Sequence, residues 1–427
     1  MGTQQLTPGD APLPGLVEVK RRRNGTVRGV LTEPAAIESV MVDRARSFRK
    51  APGVQLLRPV LGDGIFTSEG ETWLRHRRLM QPAFSRQSID RYAEVMVRRT
   101  TAALERWAAA SEVEAVPEAR RLALGIAVES LFGTEISDRE ARELGIGIHI
   151  ASLQFQRRAT SNRLGLLLAM LPTLGVLRTR LAVWRLNRLV DRIVEERRRS
   201  PVPRDDLMSL LETAADPQTG TMTNRELRDE VNTLLLAGHE TTALAMTWAL
   251  FEIARHPAAD ARLAAEVDSI VGRERLPAAA DFARLPYTLA IVRESLRLYP
   301  PIHVAAREAL EDVEVGGLAL KRGSRVRMNM ARQQRDPRAW PDADQFRPER
   351  WLDGLDKRVA RGSYFPFGMG PRMCIGSTFA TMELVLVLAT IRQRYRVELT
   401  STEMPRPVPR VGLQPDRPIR FRLVEAG

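Results

Sequence analysis

The only cysteine of the chain, Cys374, lies near the end of the run Phe367-Gly-Met-Gly-Pro-Arg-Met-Cys374-Ile-Gly376, just ahead of an apolar helical stretch from Ser377 to Ile391. Three glycines let the backbone of such a loop approach a flat ligand closely. The free N–H groups and positive dipole end of the helix that follows favour a thiolate at Cys374, the form that ligates metals. The plain alternative for a lone cysteine is a small buried hydrophobe. A second run, Ala237-Gly238-His239-Glu240-Thr241-Thr242, sets an acid beside two hydroxyls in the middle of a helical pattern. Its plain reading is a Thr241 hydroxyl that bonds back to the carbonyl of Ala237 and bends the helix slightly. Glu294 and Arg297 are three apart in the helical run Tyr287 to Leu298 and so share a face, as a surface ion pair would.

The decapeptide from Phe367 to Gly376 resembles the haem-binding loop of the cytochrome P450 family, F-G-x-G-x-R-x-C-x-G, at every specified position. The resemblance implies that Cys374 is the proximal ligand of haem b (iron protoporphyrin IX), within a loop formed by Phe367, Gly368, Arg372 and Gly376. A thiolate ligand donates electron density to iron and favours O–O cleavage. By the same resemblance Ala237 and Gly238 open a groove for O2, and Glu240 with Thr241 guides protons to it. The Glu294 and Arg297 spacing is similar to the family's E-x-x-R pair, and Phe346-Arg-Pro-Glu-Arg350-Trp351 to the segment whose arginine joins that pair. Glu294, Arg297 and Arg350 are therefore expected to form a buried network that stabilises the haem loop. Trp73-Leu-Arg-His-Arg77 resembles the W-x-x-x-R segment, so Trp73, Arg77, Arg307 and Arg372 are the implied partners of the haem propionates. His76 is left outside this set, as a surface residue. The implied substrate pocket is lined from Ile65, Phe66, the apolar region 151–184, Leu234, Leu235, Ala237, Ile302, Val304, Ala305 and a C-terminal turn near Val411. Such an apolar lining suits a lipophilic small molecule such as a terpenoid, fatty acid or polyketide.

These residues need rigid elements to hold them. Thr223 and Glu226 have the spacing of a capping box, and Pro257 stops the helix they begin, which predicts about 32 residues and a length of roughly 48 Å. Helical periodicity also runs from Glu71 onward, through Tyr92 to Ala110, Arg120 to Phe132 and Leu181 to Arg199. Short β-prone runs stand at Val17 to Val19, Val27 to Leu31, Gly64 to Phe66, Arg325 to Met330 and Arg394 to Leu399. The reading is a mainly α chain. The resemblance covers almost all of it and implies a single triangular α-helical domain over 1–427, with a small β-rich lobe and an extended N-terminal segment over 1–25, against the two or three domains that length alone suggests.

Composition bounds what else the chain could be. Hydrophobic residues make up 44% and charged residues 27%, which excludes a disordered or fibrous protein, and one cysteine excludes an internal disulfide and suits a reducing cytoplasm. The longest uncharged apolar stretch, Leu164 to Leu177, has 14 residues, short of the roughly 20 of a spanning helix, so no transmembrane segment is expected. The net charge of +13 is spread along the chain. Only four of the 65 basic residues are lysine (Lys20, Lys50, Lys321 and Lys357), and no nucleic-acid-binding signature accompanies them. The expectation is a cytoplasmic monomer with no room for a flavin or iron–sulfur domain, supplied with electrons by a separate ferredoxin and ferredoxin reductase. Lys357, Arg358, Arg361 and Arg372 would form the basic docking surface. A peroxide-driven oxygenase and a haem protein that only binds ligands stay open beside the monooxygenase reading.

Overall fold

The computed structural model describes residues 4–5, 16–22, 24–133, 206–216, 219–401 and 403–426, with scattered residues between 177 and 199. The 32-residue helix Asn224–Arg255 begins as its capping residues dictate. The Thr223 N–H donates to Glu226 at 2.8 Å, and the Glu226 N–H donates to the Thr223 hydroxyl at 3.2 Å, which satisfies two of the four donors that a helix start leaves open. It stops at His256, and Pro257 opens the next helix, Pro257–Ile270. From Thr242 to Ile253 every residue is buried, so this half is core on all sides rather than amphipathic.

The chain divides into two compact units, Met1–Pro52 with Leu289–Ser377 and Gly53–Thr288 with Thr378–Gly427. The first is built on a six-stranded sheet in the order Gln4–Gln5, Leu16–Arg21, Val27–Leu31, Arg325–Asn329, Val304–Ala309 and Phe48–Lys50. Val27–Leu31 runs parallel to Arg325–Asn329, and the other neighbours are antiparallel. Its core gathers Val27, Leu31, Ile37, Phe48, Val326, Met328 and Phe365. The second unit is helical. In it Ala115–Phe132 packs along the central helix Asn224–Arg255 and against Ala93–Ala108, and the unit also holds most of Ser377–Arg394. A three-stranded sheet (Tyr395–Leu399, Arg420–Glu425 and Val113–Glu114) and the hairpin Pro407–Pro409 with Leu413–Pro415 complete it.

The fold is mainly α with a small β region, and the expected helices and strands that fall on described residues are found within about five residues, with one exception, while strands such as Phe48–Lys50, Val304–Ala309 and Arg420–Glu425 had no expectation. Gly64–Phe66 is a turn, not a strand: the Thr67 and Ser68 N–H groups both donate to the Gly64 carbonyl, at 3.0 and 2.9 Å, and the Thr67 hydroxyl donates to the Gly62 carbonyl at 2.7 Å. Local bonds of this kind give the backbone an alternative to a ladder, and β propensity does not outweigh them. Within the expected helix Leu181–Arg199 the residues that are described are all helical, and most of the apolar region 151–184 lies outside the described residues. Among the described residues no helix is long and apolar enough to cross a membrane.

Candidate active site

In the first unit the loop before Cys374 is shaped by its glycines. Gly368 (φ +74°) and Gly370 (φ +66°) take left-handed conformations that side chains disfavour, and a Cβ on Gly370 would meet the Met41 carbonyl oxygen at 2.1 Å. The Cys374 N–H donates to the Phe367 carbonyl at 2.9 Å, which folds the loop back on itself and leaves Cys374 exposed, three residues before the helix Ser377–Arg394. An exposed thiol near a helix start is a ligand setting, not the setting of a structural hydrophobe.

Behind this loop Glu294, Arg297 and Arg350 form one buried network. Arg297 Nε and Nη2 donate to the two Glu294 oxygens at 2.9 and 2.8 Å, and Arg350 Nε donates to Glu294 at 3.0 Å. Trp351 Nε1 and the Arg347 N–H fill the remaining acceptor positions, each at 2.9 Å. The rest of the Arg297 fork donates to the carbonyls of Gln334, Ala343 and Gln345. Gln334 carries this framework to the cysteine loop, since its amide donates to the Leu296 and Arg297 carbonyls and its oxygen accepts the Phe365 N–H at 3.0 Å. Arg307 is half-buried in the strand Val304–Ala309, and Arg372 is half-buried beside the cysteine. Of the implied pocket residues, Ile302 is exposed and Val304 and Ala305 are half-buried. His303 between them has its Nδ1 buried, without a hydrogen-bond partner among the described residues, and burial lowers its pKa below the ordinary histidine value.

In the second unit the Thr241 hydroxyl donates to the Ala237 carbonyl at 2.6 Å. Glu240 is held from two other elements, by a bidentate pair with Arg120 at 2.7 and 2.5 Å and by Gln414 at 2.8 Å. Ala237 is exposed on a helix that is otherwise largely buried, and Gly238 beside it adds no side chain. Leu234 is half-buried, whereas Leu235 is sealed in the core. Val411 sits in the turn of the hairpin that supplies Gln414, and Ile65 and Phe66 sit in the Gly62–Thr67 turn. Trp73 and Arg77, both half-buried, lie one turn apart on Gly70–Met80.

His76 corrects the expectation of a surface residue. It is completely buried, with Nδ1 at 2.6 Å from Glu230 and Nε2 at 3.3 Å from Glu226. The carboxylates that draw it inward lie 150 and 154 residues further along, so only a weak local signal was available: His76 shares a helix face with Leu79 and Met80, three and four residues on, which are both buried. Arg120 and Gln414 were also missed, and their contacts to Glu240 have no sequence signature.

The sequence matches the family model described as Cytochrome P450 over residues 20–422. Among curated proteins it is 39% identical to cyclooctatin synthase of Streptomyces melanosporofaciens over 89% of this chain and 83% of that one. It is 34% identical to cyclooctat-9-en-7-ol 5-monooxygenase of the same organism, over 93% and 85%. Pentalenene oxygenase of Streptomyces avermitilis is 32% identical over the same shares. Among solved structures, the cytochrome P450DA haem domain superposes with a TM-score of 0.85 and 26% identity, covering 97% of this chain and 90% of that one.

Proposed function

The chain belongs to the cytochrome P450 family and has the activity class of its monooxygenases, and from that premise we propose that it transfers one oxygen atom of O2 to a terpenoid, with electrons from a separate ferredoxin and its reductase. The observation that carries this reading is the setting of Cys374, the one exposed thiol, on a glycine-shaped loop braced by a buried arginine–glutamate framework. A haem bound there through the thiolate supplies the activation of dioxygen. The only cysteine being engaged with iron, no thioether is available for covalent attachment, which supports haem b. Taken unit by unit, the donor sets fit the group: in the first, Cys374 would ligate the iron and Arg307 and Arg372 would hold propionates; in the second, on the family pattern, Arg77 and Trp73 would be further propionate partners, and Ala237 with Gly238 would leave room on the central helix for oxygen. Thr241 holds the proton to be delivered, and Glu240, fixed by Arg120 and Gln414, connects it to solvent.

The substrate class rests on the relatives, whose names give an alkene (pentalenene) and an unsaturated alcohol (cyclooctat-9-en-7-ol). The apolar Ile302, Val304 and Ala305 suit such a skeleton. Two spectra test the reading. The reduced protein with carbon monoxide should show the red-shifted band of a thiolate-ligated haem, and Cys374→His should abolish it. An unmodified protein without haem, or an unchanged band in the variant, would reject the proposal. Screening terpenoid alcohols and hydrocarbons for a substrate-induced haem shift then tests the class.

A further inference from the structure

One face of the central helix carries Glu226, Asp229, Glu230 and Thr233, spaced i, i+3, i+4 and i+7, and everything along it is engaged by the segment 62–76. The Asp63 N–H donates to Asp229 at 2.9 Å, and the Ile65 N–H donates to Glu230. The turn approaches so closely that a Cβ on Gly62 would lie 2.0 Å from the Asp229 carboxylate, and one on Gly64 would lie 2.2 Å from the Thr233 hydroxyl. On the helix Gly70–Met80, Arg75 donates to Glu226 at 2.7 Å and to the Thr221 carbonyl at 2.9 Å, and His76 lies between Glu226 and Glu230.

We propose that His76 is a positioning residue, a proton-dependent latch that holds the Gly62–Thr67 turn and the helix Gly70–Met80 on the central helix. A carboxylate oxygen faces each ring nitrogen, and an acceptor at both positions calls for a proton on both, which is the imidazolium. Burial opposes that charge, but the hydrogen bonds and charges of Glu230 and Glu226 outweigh it and hold His76 above the ordinary histidine value. Burial also lifts the Glu230 carboxyl. We place the shared proton on His76 because Glu226 is a second carboxylate on the same ring. The charged groups around it come in opposed sets: Glu226 and Glu230 against His76 and Arg75, Asp229 and Asp63 against Arg225 and Arg228, and Asp216 against Arg78.

The sign follows. A pKa raised on folding means that the latch is fully made below the ordinary histidine value, about 6.5, and is lost as pH rises through the raised value. Neutral imidazole would turn a lone pair toward one of the two carboxylates. Under the function proposed above, the turn carries Ile65 and Phe66 of the substrate pocket, and the helix carries Trp73 and Arg77. The latch therefore sets substrate affinity and makes it fall with rising pH.

Amide hydrogen exchange on the full-length protein tests this without reference to turnover. Corrected for intrinsic rates, protection at Asp63 and Ile65 should fall about tenfold or more as pH rises through the His76 titration, as loss of a buried charge-assisted hydrogen bond implies. Protection in the sheet strand Arg325–Asn329 should stay constant. In His76→Gln the protection should be low and independent of pH, and phenylimidazole should bind the haem more weakly with no pH dependence beyond its own. Constant protection of the turn in the unmodified protein would overturn the latch, as would a His76→Gln variant with the unmodified pH profile. The pH series needs no variant to fold. A protein that binds no haem would sink the functional reading while leaving the exchange result to decide the latch.

Discussion

Thr241 and Glu240 are neighbours in sequence with opposite bonding. The threonine hydroxyl spends its proton on the Ala237 carbonyl and keeps its oxygen lone pairs to accept a bond, whereas the Glu240 carboxylate only accepts, from Arg120 and Gln414. A proton passing through this pair requires the threonine to let go of Ala237 and Glu240 to exchange one of its donors. Thr241→Ala is therefore expected to leave haem content and substrate affinity nearly intact while product per electron falls by about tenfold or more, the range of a positioned proton donor, with the balance released as hydrogen peroxide. If the hydroxyl only bends the helix, the alanine variant straightens it and substrate binding is disturbed first. Product and peroxide counted per reducing equivalent separate the two, and a fully coupled Thr241→Ala enzyme would end the relay. The acid and the hydroxyl were legible in the sequence because they are adjacent. Their partners were not, since Arg120 and Gln414 lie 120 and 174 residues from Glu240 and depend on how helix and hairpin pack.

Elements were legible where their ends are written locally. The capping pair Thr223 and Glu226 and the stop at Pro257 fix the central helix, whereas the Gly62–Thr67 turn takes its shape from bonds between nearby side chains and backbone and from the carboxylates of a distant helix, so β propensity misplaced it. The cysteine loop is intermediate: its glycines are visible in sequence, but the reason for Gly370 is the Met41 carbonyl against which it rests. Gly272 offers a control, because it also has a positive φ (+71°) but has open space where a Cβ would go. Gly272→Ala should cost only the left-handed backbone penalty, about 1 kcal/mol, while Gly370→Ala should cost about 2 kcal/mol or more and release haem on gel filtration. Denaturant midpoints and the haem-to-protein absorbance ratio measure both. Equal losses in the two variants would show that the close approach to Met41 does not matter to the loop.

At the scale of the whole molecule the net charge of +13 is a poor guide until the paired arginines are set aside. Arg297 and Arg350 are buried on Glu294, and Arg120 is held by Glu240, so none of these three is offered to a partner. Lys357, Arg358 and Arg361 differ, being exposed on the first unit, the unit that presents Cys374. Among the described residues Arg361 makes one ion contact, at 3.6 Å with Glu38, and Arg358 donates to the Asp353 carbonyl. Exposed Leu352 and Met373 add apolar surface to the same unit. Basic residues with apolar neighbours suit an acidic electron donor, for which long-range attraction raises the association rate and short-range packing sets the lifetime. Reversing Arg358 and Arg361 to Glu changes the local charge by about four units, enough to slow reduction by an acidic ferredoxin about tenfold or more at low ionic strength. The same variant should lose most of the salt dependence, because at about 0.5 M salt the screening length falls below the separation of docked charges and both proteins then associate by packing alone. Stopped-flow reduction across a salt series measures both effects. If reduction of the variant at low salt matches the unmodified rate, electrons enter elsewhere and these residues are only a solvated face.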